Sequence, residues 1–187
     1  MPFRSRADWL TWLRAHADSS PGIWLELAKK ASGTPTVSYE EVREVALSFG
    51  WVDGLVNGLD EARYLLRVTP RRPKSKWSKI NRAIAERLIE SGAMQPRGRA
   101  EVEAAKADGR WAAAYDPPST IQPHVALVRA LEAAPRAKAA FDALPRSKRF
   151  VLITGVNDAK REETRARKIA AILEMLERDA ARGSVIA

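Results

Sequence analysis

Cysteine is absent from this 187-residue sequence, and histidine occurs only twice, at His16 and His124. The absence of cysteine excludes disulfides, thiolate nucleophiles and cysteine-based zinc sites. Two histidines are too few for a multi-histidine metal site. His16 falls beside an apolar helical stripe, where a packed side chain is expected rather than a catalytic base. We therefore predict no metal and no cofactor.

Long apolar runs are missing as well. No stretch of the sequence approaches the roughly 20 apolar residues that a helix needs to span a bilayer. Residues Met1–Arg14 mix charged residues with tryptophan, unlike the apolar region of a signal peptide. These features predict a cytoplasmic protein without an integral membrane segment, and they do not indicate an oligomeric state.

Acidic residues are outnumbered: 32 lysines and arginines against 23 aspartates and glutamates give a net charge of +9. Such a balance favours anionic partners, namely nucleic acid, acidic lipid surfaces or phosphorylated ligands. A solvated, arginine-rich surface without any ligand explains the same charge, so both interpretations stay open. The apolar content of 45% is that of an ordinary globular protein.

Helical signals dominate the first fifty residues. Apolar spacing predicts a first helix over residues 6–17. Residues 20–33 begin with Ser-Pro, a typical capped helix start, and end with glycine, so they predict a second helix. Ser38 and Glu41 form a capping-box pattern in front of a third helix, which Gly50 ends.

The periodicity then changes to that of strands. Residues 51–56 are apolar and rich in β-branched side chains, and residues 64–69 alternate between two faces. We predict an antiparallel hairpin in which Asn57-Gly58 forms the tight turn, or in which residues 59–63 are part of the connection, so the register stays open. The candidates for the polar face of this hairpin are Asp53, Arg67 and Thr69.

The second half of the sequence is predicted to be helical. Asp116–Thr120 is the best linker in the chain, a long amphipathic helix follows Asp158, and the tail Arg182–Ala187 is expected to fray. We therefore predict an α+β, predominantly helical fold, with N-terminal helices and a small antiparallel β-hairpin or sheet, then a C-terminal helical segment. The predicted domains are residues 1–116, which carry the hairpin and a basic loop, and residues 117–187, a helical segment packed on that core.

Eight cations without an intervening acid mark the candidate site: Arg63, Arg67, Arg71, Arg72, Lys74, Lys76, Lys79 and Arg82. Pro70 and Pro73 bracket part of this run, which predicts an exposed loop leaving the strand. Ser78 is placed to cap the following helix, so backbone N–H groups, the helix dipole and basic side chains together favour an anion. The alternative is a solvated basic loop with Trp77 packed on the core.

Aromatic rings near the basic loop offer stacking surfaces for a base or an aromatic ligand. The predicted ligand-binding residues are Trp51, Asp53, Tyr64, Arg67, Thr69, Arg71, Arg72, Ser75, Trp77, Ser78 and Asn81. No catalytic residue is predicted, because the sequence has no nucleophile elbow and no phosphate-binding glycine loop. If the protein is an enzyme, Asp53 is the candidate acid or base.

Several motifs carry a family resemblance: Gly50-Trp-Val-Asp53, Thr69-Pro-Arg-Arg-Pro73, Ser75-Lys-Trp-Ser78, Ala105-Lys-Ala-Asp-Gly-Arg-Trp111 and Thr164-Arg-Ala-Arg-Lys-Ile169. On these motifs the sequence resembles the bacterial YdeI/OmpD-associated (bacteriocin-protection, OmdA-like) family over nearly the whole chain. Departures are mild, such as Val52 where the family usually has isoleucine. The resemblance implies a small cytoplasmic protein linked to resistance against antimicrobial peptides or related stress. It implies no reaction and no catalytic residues.

Three functions stay open. The first is protection by non-covalent binding of an anionic or aromatic small ligand, or of an antimicrobial compound, at the basic loop and tryptophan pocket. The second is nucleic-acid binding through the basic loop and the basic C-terminal helix. The third is a small enzyme that uses Asp53 as acid or base.

Overall fold

The computed structural model describes residues 1–181, which form two compact units: Met1–Tyr115 and a second unit that begins at Asp116. The tail Arg182–Ala187, expected to fray, lies outside the described residues. The first unit combines helices with a three-stranded antiparallel sheet and the second is helical. The predicted α+β, predominantly helical fold class is therefore confirmed.

Helices and strands alternate only in the first unit. Its elements are α1 (Arg6–His16), β1 (Ile23–Ala28), a 3₁₀ turn (Lys30–Ser32), α2 (Tyr39–Ser48), β2 (Trp51–Gly58), β3 (Arg63–Pro70), α3 (Lys79–Glu90) and α4 (Pro96–Ala107). The second unit contains α5 (Val125–Glu132), α6 (Pro135–Ala143), α7 (Arg146–Asn157) and α8 (Glu162–Ala181). None of the described helices is long and apolar enough to cross a membrane.

The capping box predicted for α2 is confirmed. The Ser38 side chain accepts a hydrogen bond from the backbone N–H of Glu41 at 3.2 Å, and the Glu41 carboxylate accepts one from the backbone N–H of Ser38 at 2.8 Å. These bonds satisfy N–H groups that lack a partner at a helix start. Gly50, with a φ of 70°, ends the segment in the left-handed conformation that glycine adopts without strain. The chain then enters β2 directly.

The predicted hairpin forms between β2 and β3, but its turn lies further along the chain. Asn57 and Gly58, predicted as the turn, belong to β2 and pair with residues of β3. The connection is residues 59–62. The Asp60 carboxylate closes it by accepting hydrogen bonds from the backbone N–H groups two and three positions later, at 2.9 and 2.7 Å. An aspartate that binds its own backbone in this way stabilises a turn, so it replaces the predicted Asn-Gly pair.

Residues 20–33, predicted as a helix, contain strand β1 instead. The strand pairs antiparallel with β3 along its whole length, so the sheet order is β1-β3-β2. Leu25 and Leu27 are fully buried, whereas the residues beside them are only partly buried. This alternation has the period of a strand. The Ser-Pro segment forms a turn, in which the Ser20 side chain accepts a hydrogen bond from the backbone N–H of Gly22 at 3.2 Å.

Two apolar clusters stabilise the first unit. In one, the sheet packs against α1 and α2 around Trp9, Trp51 and Leu66, which are fully buried. In the other, Trp77 packs against residues of α3 and α4, including Leu88. Burial of a large apolar side chain contributes roughly 1.5–3 kcal/mol. Both tryptophans of the predicted site therefore belong to the core.

One apolar cluster stabilises the second unit, where α5 to α8 pack around Leu127, Phe141 and Leu176. The Asn157 side chain ties the end of α7 to the segment before α5. It accepts a hydrogen bond from the backbone N–H of His124 at 3.0 Å and donates one to the carbonyl of Gln122 at 2.9 Å. The predicted domain boundary and the packing of this unit on the core stay predictions.

Candidate functional site

The run of eight cations does not form a single free surface. Arg63 forms ion pairs with Glu26 at 2.5 Å and with Asp60 at 2.6 Å. Arg82 donates a hydrogen bond to the backbone carbonyl of Trp111 at 3.4 Å. Both ends of the run therefore have partners within the protein, which leaves its middle part as the candidate site.

The loop between β3 and α3 holds the middle of the run, and one of its arginines is buried. Arg72 and Lys74 are exposed, in agreement with an exposed loop. Arg71, predicted on the same exposed loop, is only 6% exposed, so the prediction is wrong for this residue. Its backbone N–H donates to the carbonyl of Gly50 at 3.0 Å. Its guanidinium lies over the indole of Trp77, with 3.7 Å between Cζ and the ring centroid.

Two of the three nitrogens of the Arg71 guanidinium lack a partner. Nη1 donates a hydrogen bond to the backbone carbonyl of Lys76 at 3.2 Å. Nε and Nη2 are buried and have no hydrogen-bond partner among the described residues. They share one edge of a planar group, so their N–H bonds match two oxygens of a carboxylate or phosphate. This edge therefore has the donor chemistry and the planar geometry that pair with an oxyanion.

Burial dominates the electrostatics of Arg71. It lowers the pKa of the guanidinium to about 10, whereas Glu101, Tyr115 and Asp53 act in the opposite direction and Arg110 adds to the lowering. The side chain therefore stays cationic at neutral pH. Neither carboxylate reaches Nε or Nη2, so both act through space. We call Asp53, Arg71, Glu101, Arg110 and Tyr115 the Arg71 cluster.

Asp53 faces the interior of the first unit. Its carboxylate accepts a hydrogen bond from the Tyr39 hydroxyl at 2.6 Å, and burial together with this bond raises the pKa of Tyr39. Asp53 lies opposite Val68 in the sheet. Arg67 is the neighbour of Val68 and lies on the other face, where its Cζ is 5.8 Å from the ring of Trp24. Asp53 and Arg67 were predicted on one polar face of the hairpin, and this prediction is wrong because the two side chains lie on opposite faces of the sheet.

Thr69 and Tyr64 lie outside the Arg71 cluster. Thr69 packs against Gly22, where a Cβ would lie only 2.7 Å from the threonine methyl group. Tyr64 lines a cavity of about 400 Å³ together with Tyr39, and burial raises the pKa of Tyr64. The predicted residues of the hairpin are thus distributed over two faces of the sheet.

Ser78 and Asn81 stabilise the start of α3. The Ser78 side chain accepts a hydrogen bond from the backbone N–H of Asn81 at 3.0 Å, and both residues are buried. The backbone N–H of Lys79 donates to the carbonyl of Tyr115 at 2.9 Å, and the N–H of Tyr115 donates to the carbonyl of Trp77 at 3.0 Å. Two N–H groups at the predicted anion site are thus already bonded within the protein.

Trp51 and Trp77 do not present an open ring to a ligand. Trp51 is fully buried and donates its indole N–H to the carbonyl of Ala17 at 3.3 Å. Trp77 is 1% exposed, with Arg71 over its ring and Trp111 in edge contact at a centroid distance of 4.9 Å. Both rings therefore pack in the interior, and the ring of Trp77 supports the guanidinium of Arg71.

Arg110 connects two segments that carry the family resemblance. Its Nη1 donates a hydrogen bond to the backbone carbonyl of Ser75 at 2.9 Å, and its Nε lies 2.7 Å from the Asp108 carboxylate. The segment 105–111 therefore packs against the loop that carries Arg71. The predictions missed Arg110, although the motif around it was a usable signal.

Glu101 and Tyr115 were missed for a different reason. Neither belongs to a motif or a charge cluster in the sequence. Glu101 packs against Gly50, where a Cβ would lie 3.1 Å from its Cγ. Burial raises the pKa of Tyr115, and Asp53 raises it further. Only the fold brings these two residues to Arg71.

The Arg71 cluster offers two buried donor nitrogens to an oxyanion. Asp53, the candidate acid or base, is hydrogen-bonded to a tyrosine, and the Arg71 cluster contains no nucleophile beside a base. Among residues 1–181, no group of three or more histidine, aspartate or glutamate residues is placed to hold a metal ion. Arg71 is the residue for which two buried side-chain nitrogens lack a partner, whereas Arg43, Trp77, Thr154 and Arg165 each have one such atom among the described residues.

Comparisons with known proteins divide the chain in two. The model of a domain family of unknown function (DUF8412) matches residues 1–101. The model of the bacteriocin-protection, YdeI or OmpD-associated family matches residues 124–179, which confirms the resemblance to that family for this segment, although the sequence suggested it over nearly the whole chain. The motifs around Arg71 lie within the part matched by the first model. No curated protein and no solved structure matches the chain.

Proposed function

The chain belongs to the family defined by a domain of unknown function (DUF8412) and carries a bacteriocin-protection, YdeI or OmpD-associated segment; from this premise we propose that it protects the cell by binding a small anionic ligand at Arg71. The binding is non-covalent and takes place in the cytoplasm. The ligand presents a carboxylate or phosphate group, either as a metabolite or as part of an antimicrobial compound.

The proposal depends on one observation, the unpaired edge of the buried Arg71 side chain. Each buried donor without an acceptor costs about 1–3 kcal/mol. An oxyanion with two coplanar oxygens satisfies Nε and Nη2 together. Hydrogen bonds to a charged group contribute about 1.5–3 kcal/mol each. The low dielectric of a buried site strengthens them further.

Burial also restricts the size of the ligand. Nε and Nη2 are buried, so a ligand must place its oxyanion group within the site. A small molecule with a terminal carboxylate or phosphate meets this requirement. A nucleic-acid backbone does not, because its phosphates are flanked by sugars on both sides. The cations of α8 also give the nucleic-acid hypothesis less support, since Arg165 and Lys168 each donate to a backbone carbonyl at 2.6 Å.

The aromatic form of the first hypothesis has less support as well. Trp51 and Trp77 have no free ring face, so stacking contributes little to recognition. The ligand class is therefore defined by its anionic group. The residues of the Arg71 cluster do not define the rest of the ligand.

The test uses Arg71→Lys with Arg72→Lys as the matched control. Lysine keeps the charge and loses the two-donor edge, and Arg72 is the exposed neighbour. Inorganic phosphate and acetate are titrated while the arginine Nε–H signals are followed by NMR. We expect one Nε–H signal to shift in the wild type and in Arg72→Lys. That response disappears in Arg71→Lys.

The same two variants test the biological role. Cells that express the wild type or Arg72→Lys survive challenge with a panel of bacteriocins, and cells that express Arg71→Lys lose this protection. If neither oxyanion shifts an arginine signal, the proposed site is wrong. If both variants protect equally, binding at Arg71 is not how the protein protects the cell.

A further inference from the structure

A second site with a different chemistry lies on the helical unit. An apolar groove of about 370 Å³ runs between the end of α6, the first turns of α7 and α8. Its lining residues are Leu144, Ser147, Lys148, Val151, Leu152 and Met175. This volume is in the range of small-molecule sites. Val151, which belongs to this lining, is 67% exposed, so the apolar surface of the groove is open to solvent.

The lining of this groove contains one charged side chain, and that side chain is a cation, Lys148. Lys148 forms no ion pair with any of the described residues. Arg146 and Arg149 belong to the same first turn of α7, which contains no acidic residue and no side-chain cap. A helix start carries a partial positive charge, so it adds to the effect of these cations. An apolar groove with a cationic end is complementary to an amphiphile with an anionic head.

We infer that this groove binds a single-chain anionic amphiphile, such as a medium-chain fatty acid, with its tail against Val151 and Met175 and its head near Lys148. The volume equals that of about 12 water molecules at about 30 Å³ each, and a methylene group is of similar size. A tail of about ten to twelve carbons therefore corresponds to the volume of the groove. This site is independent of the Arg71 cluster, and its ligand need not be the one bound there.

The protein offers a specific reporter for the test. It has three methionines, and Met175 lines the groove, whereas Met94 is buried in the first unit. Methyl-labelled methionine and NMR therefore distinguish binding in the groove from a general effect. Sodium octanoate, decanoate and laurate are titrated below their micellar concentrations. We expect the Met175 methyl signal to shift and the Met94 signal to stay in place.

The chain-length series measures the apolar contribution. Each buried methylene group strengthens binding about fourfold, and we expect this gain to level off when the tail exceeds the groove. Decanol and a decyl ammonium salt test the head group. Decanoate binds best and the cationic amphiphile worst. Lys148→Gln weakens decanoate about two- to fivefold, as for a partly exposed ion pair, and leaves decanol unchanged.

Val151→Glu is the decisive variant, because it places a carboxylate in the groove. The side chain is exposed, so folding is not at risk. We expect decanoate to bind about tenfold more weakly. Val125→Glu is the matched control, since Val125 is 57% exposed on α5 and lies outside the groove lining. It leaves the affinity unchanged.

Three results would overturn the inference. The first is the absence of a Met175 shift with any of the carboxylates. The second is equal binding of the anionic and cationic amphiphiles. The third is a dimer in sedimentation experiments that Val151→Glu dissociates, because this result assigns the groove to contact between two copies of the chain.

Discussion

Replacement of the buried Arg71 by methionine tests directly whether its guanidinium is unsatisfied in the ligand-free protein. Methionine retains much of the length and the packing against Trp77, and it has no charge and no donor. The variant loses the cation–π contact at 3.7 Å and the hydrogen bond to the carbonyl of Lys76. It also removes the two buried nitrogens that have no partner among the described residues.

The expected change in the free energy of unfolding is small because these effects oppose each other. The cation–π contact contributes about 2 kcal/mol when it is desolvated. The hydrogen bond adds about 1.5–3 kcal/mol. Removal of the two unsatisfied donors stabilises the variant by about 1–3 kcal/mol for each donor. The sum lies near zero, so we expect Arg71→Met to differ from the wild type by less than about 2 kcal/mol.

Addition of an oxyanion should make the wild type more stable than Arg71→Met. A ligand at 100 times its dissociation constant stabilises the protein that binds it by about 2.7 kcal/mol. Phosphate therefore stabilises the wild type and leaves Arg71→Met unchanged. The assay is urea unfolding in Tris buffer without phosphate or sulfate, and then with phosphate. Tryptophan fluorescence reports on the first unit, because all six tryptophans lie before Asp116.

The control and the refuting result are clear. Arg72→Met changes an exposed side chain, so we expect less than about 0.5 kcal/mol in either buffer. Loss of one member of a satisfied buried ion pair costs about 3–5 kcal/mol. A loss of that size for Arg71→Met in the phosphate-free buffer would show that Arg71 is already satisfied, and the reasoning for an anion site would be wrong.

Two further predictions concern the scaffold. Hydrogen bonds from Ser38 hold the pKa of Glu41 below its ordinary value of 4.5. Their contribution to the free energy of unfolding is therefore present above pH 4.5 and is lost as the pH falls through the lowered pKa. In urea unfolding we expect Glu41→Gln to be about 0.5–1 kcal/mol less stable than the wild type at pH 7, with a smaller difference in acid. Gly22 has a φ of 128° and room for no Cβ beside Thr69, so Gly22→Ala should lose about 3 kcal/mol. Gly33→Ala, with a φ of 66° and open space, should lose about 1 kcal/mol, and equal losses in a thermal-unfolding comparison would contradict the steric argument.

Local signals in the sequence predicted the elements that local interactions stabilise. The capping box of α2 and the glycine after it are complete within thirteen residues, so Ser38, Glu41 and Gly50 were sufficient. Strand β1 was predicted wrongly because its apolar residues fit both periods. The choice between helix and strand is made by pairing with β3, about forty residues later in the sequence, and no local signal reports that pairing.

At the candidate site, local signals in the sequence predicted the loop and did not predict which of its two arginines is buried. Prolines on both sides of Arg71-Arg72 correctly indicated a loop, and the two arginines are indistinguishable in sequence. One is exposed and the other buried because Trp77 lies under the guanidinium of Arg71. Burial, and not the number of cations nearby, gives Arg71 its unsatisfied edge and its lowered pKa. The number of cations therefore does not distinguish Arg71 from Arg72, and burial does.

Two motifs that seemed separate in the sequence meet around this buried charge. Arg110 holds the carbonyl of Ser75, Trp111 contacts the ring of Trp77, and Tyr115 is hydrogen-bonded through its backbone to the same loop. None of these contacts requires a charge on Arg71, and together they fix the ring on which the guanidinium lies. Nε and Nη2 of Arg71 are nevertheless buried without hydrogen-bond partners, and unpaired buried donors destabilise the ligand-free protein. An oxyanion that accepts hydrogen bonds from both nitrogens would remove this cost, which is why we propose Arg71 as the binding residue.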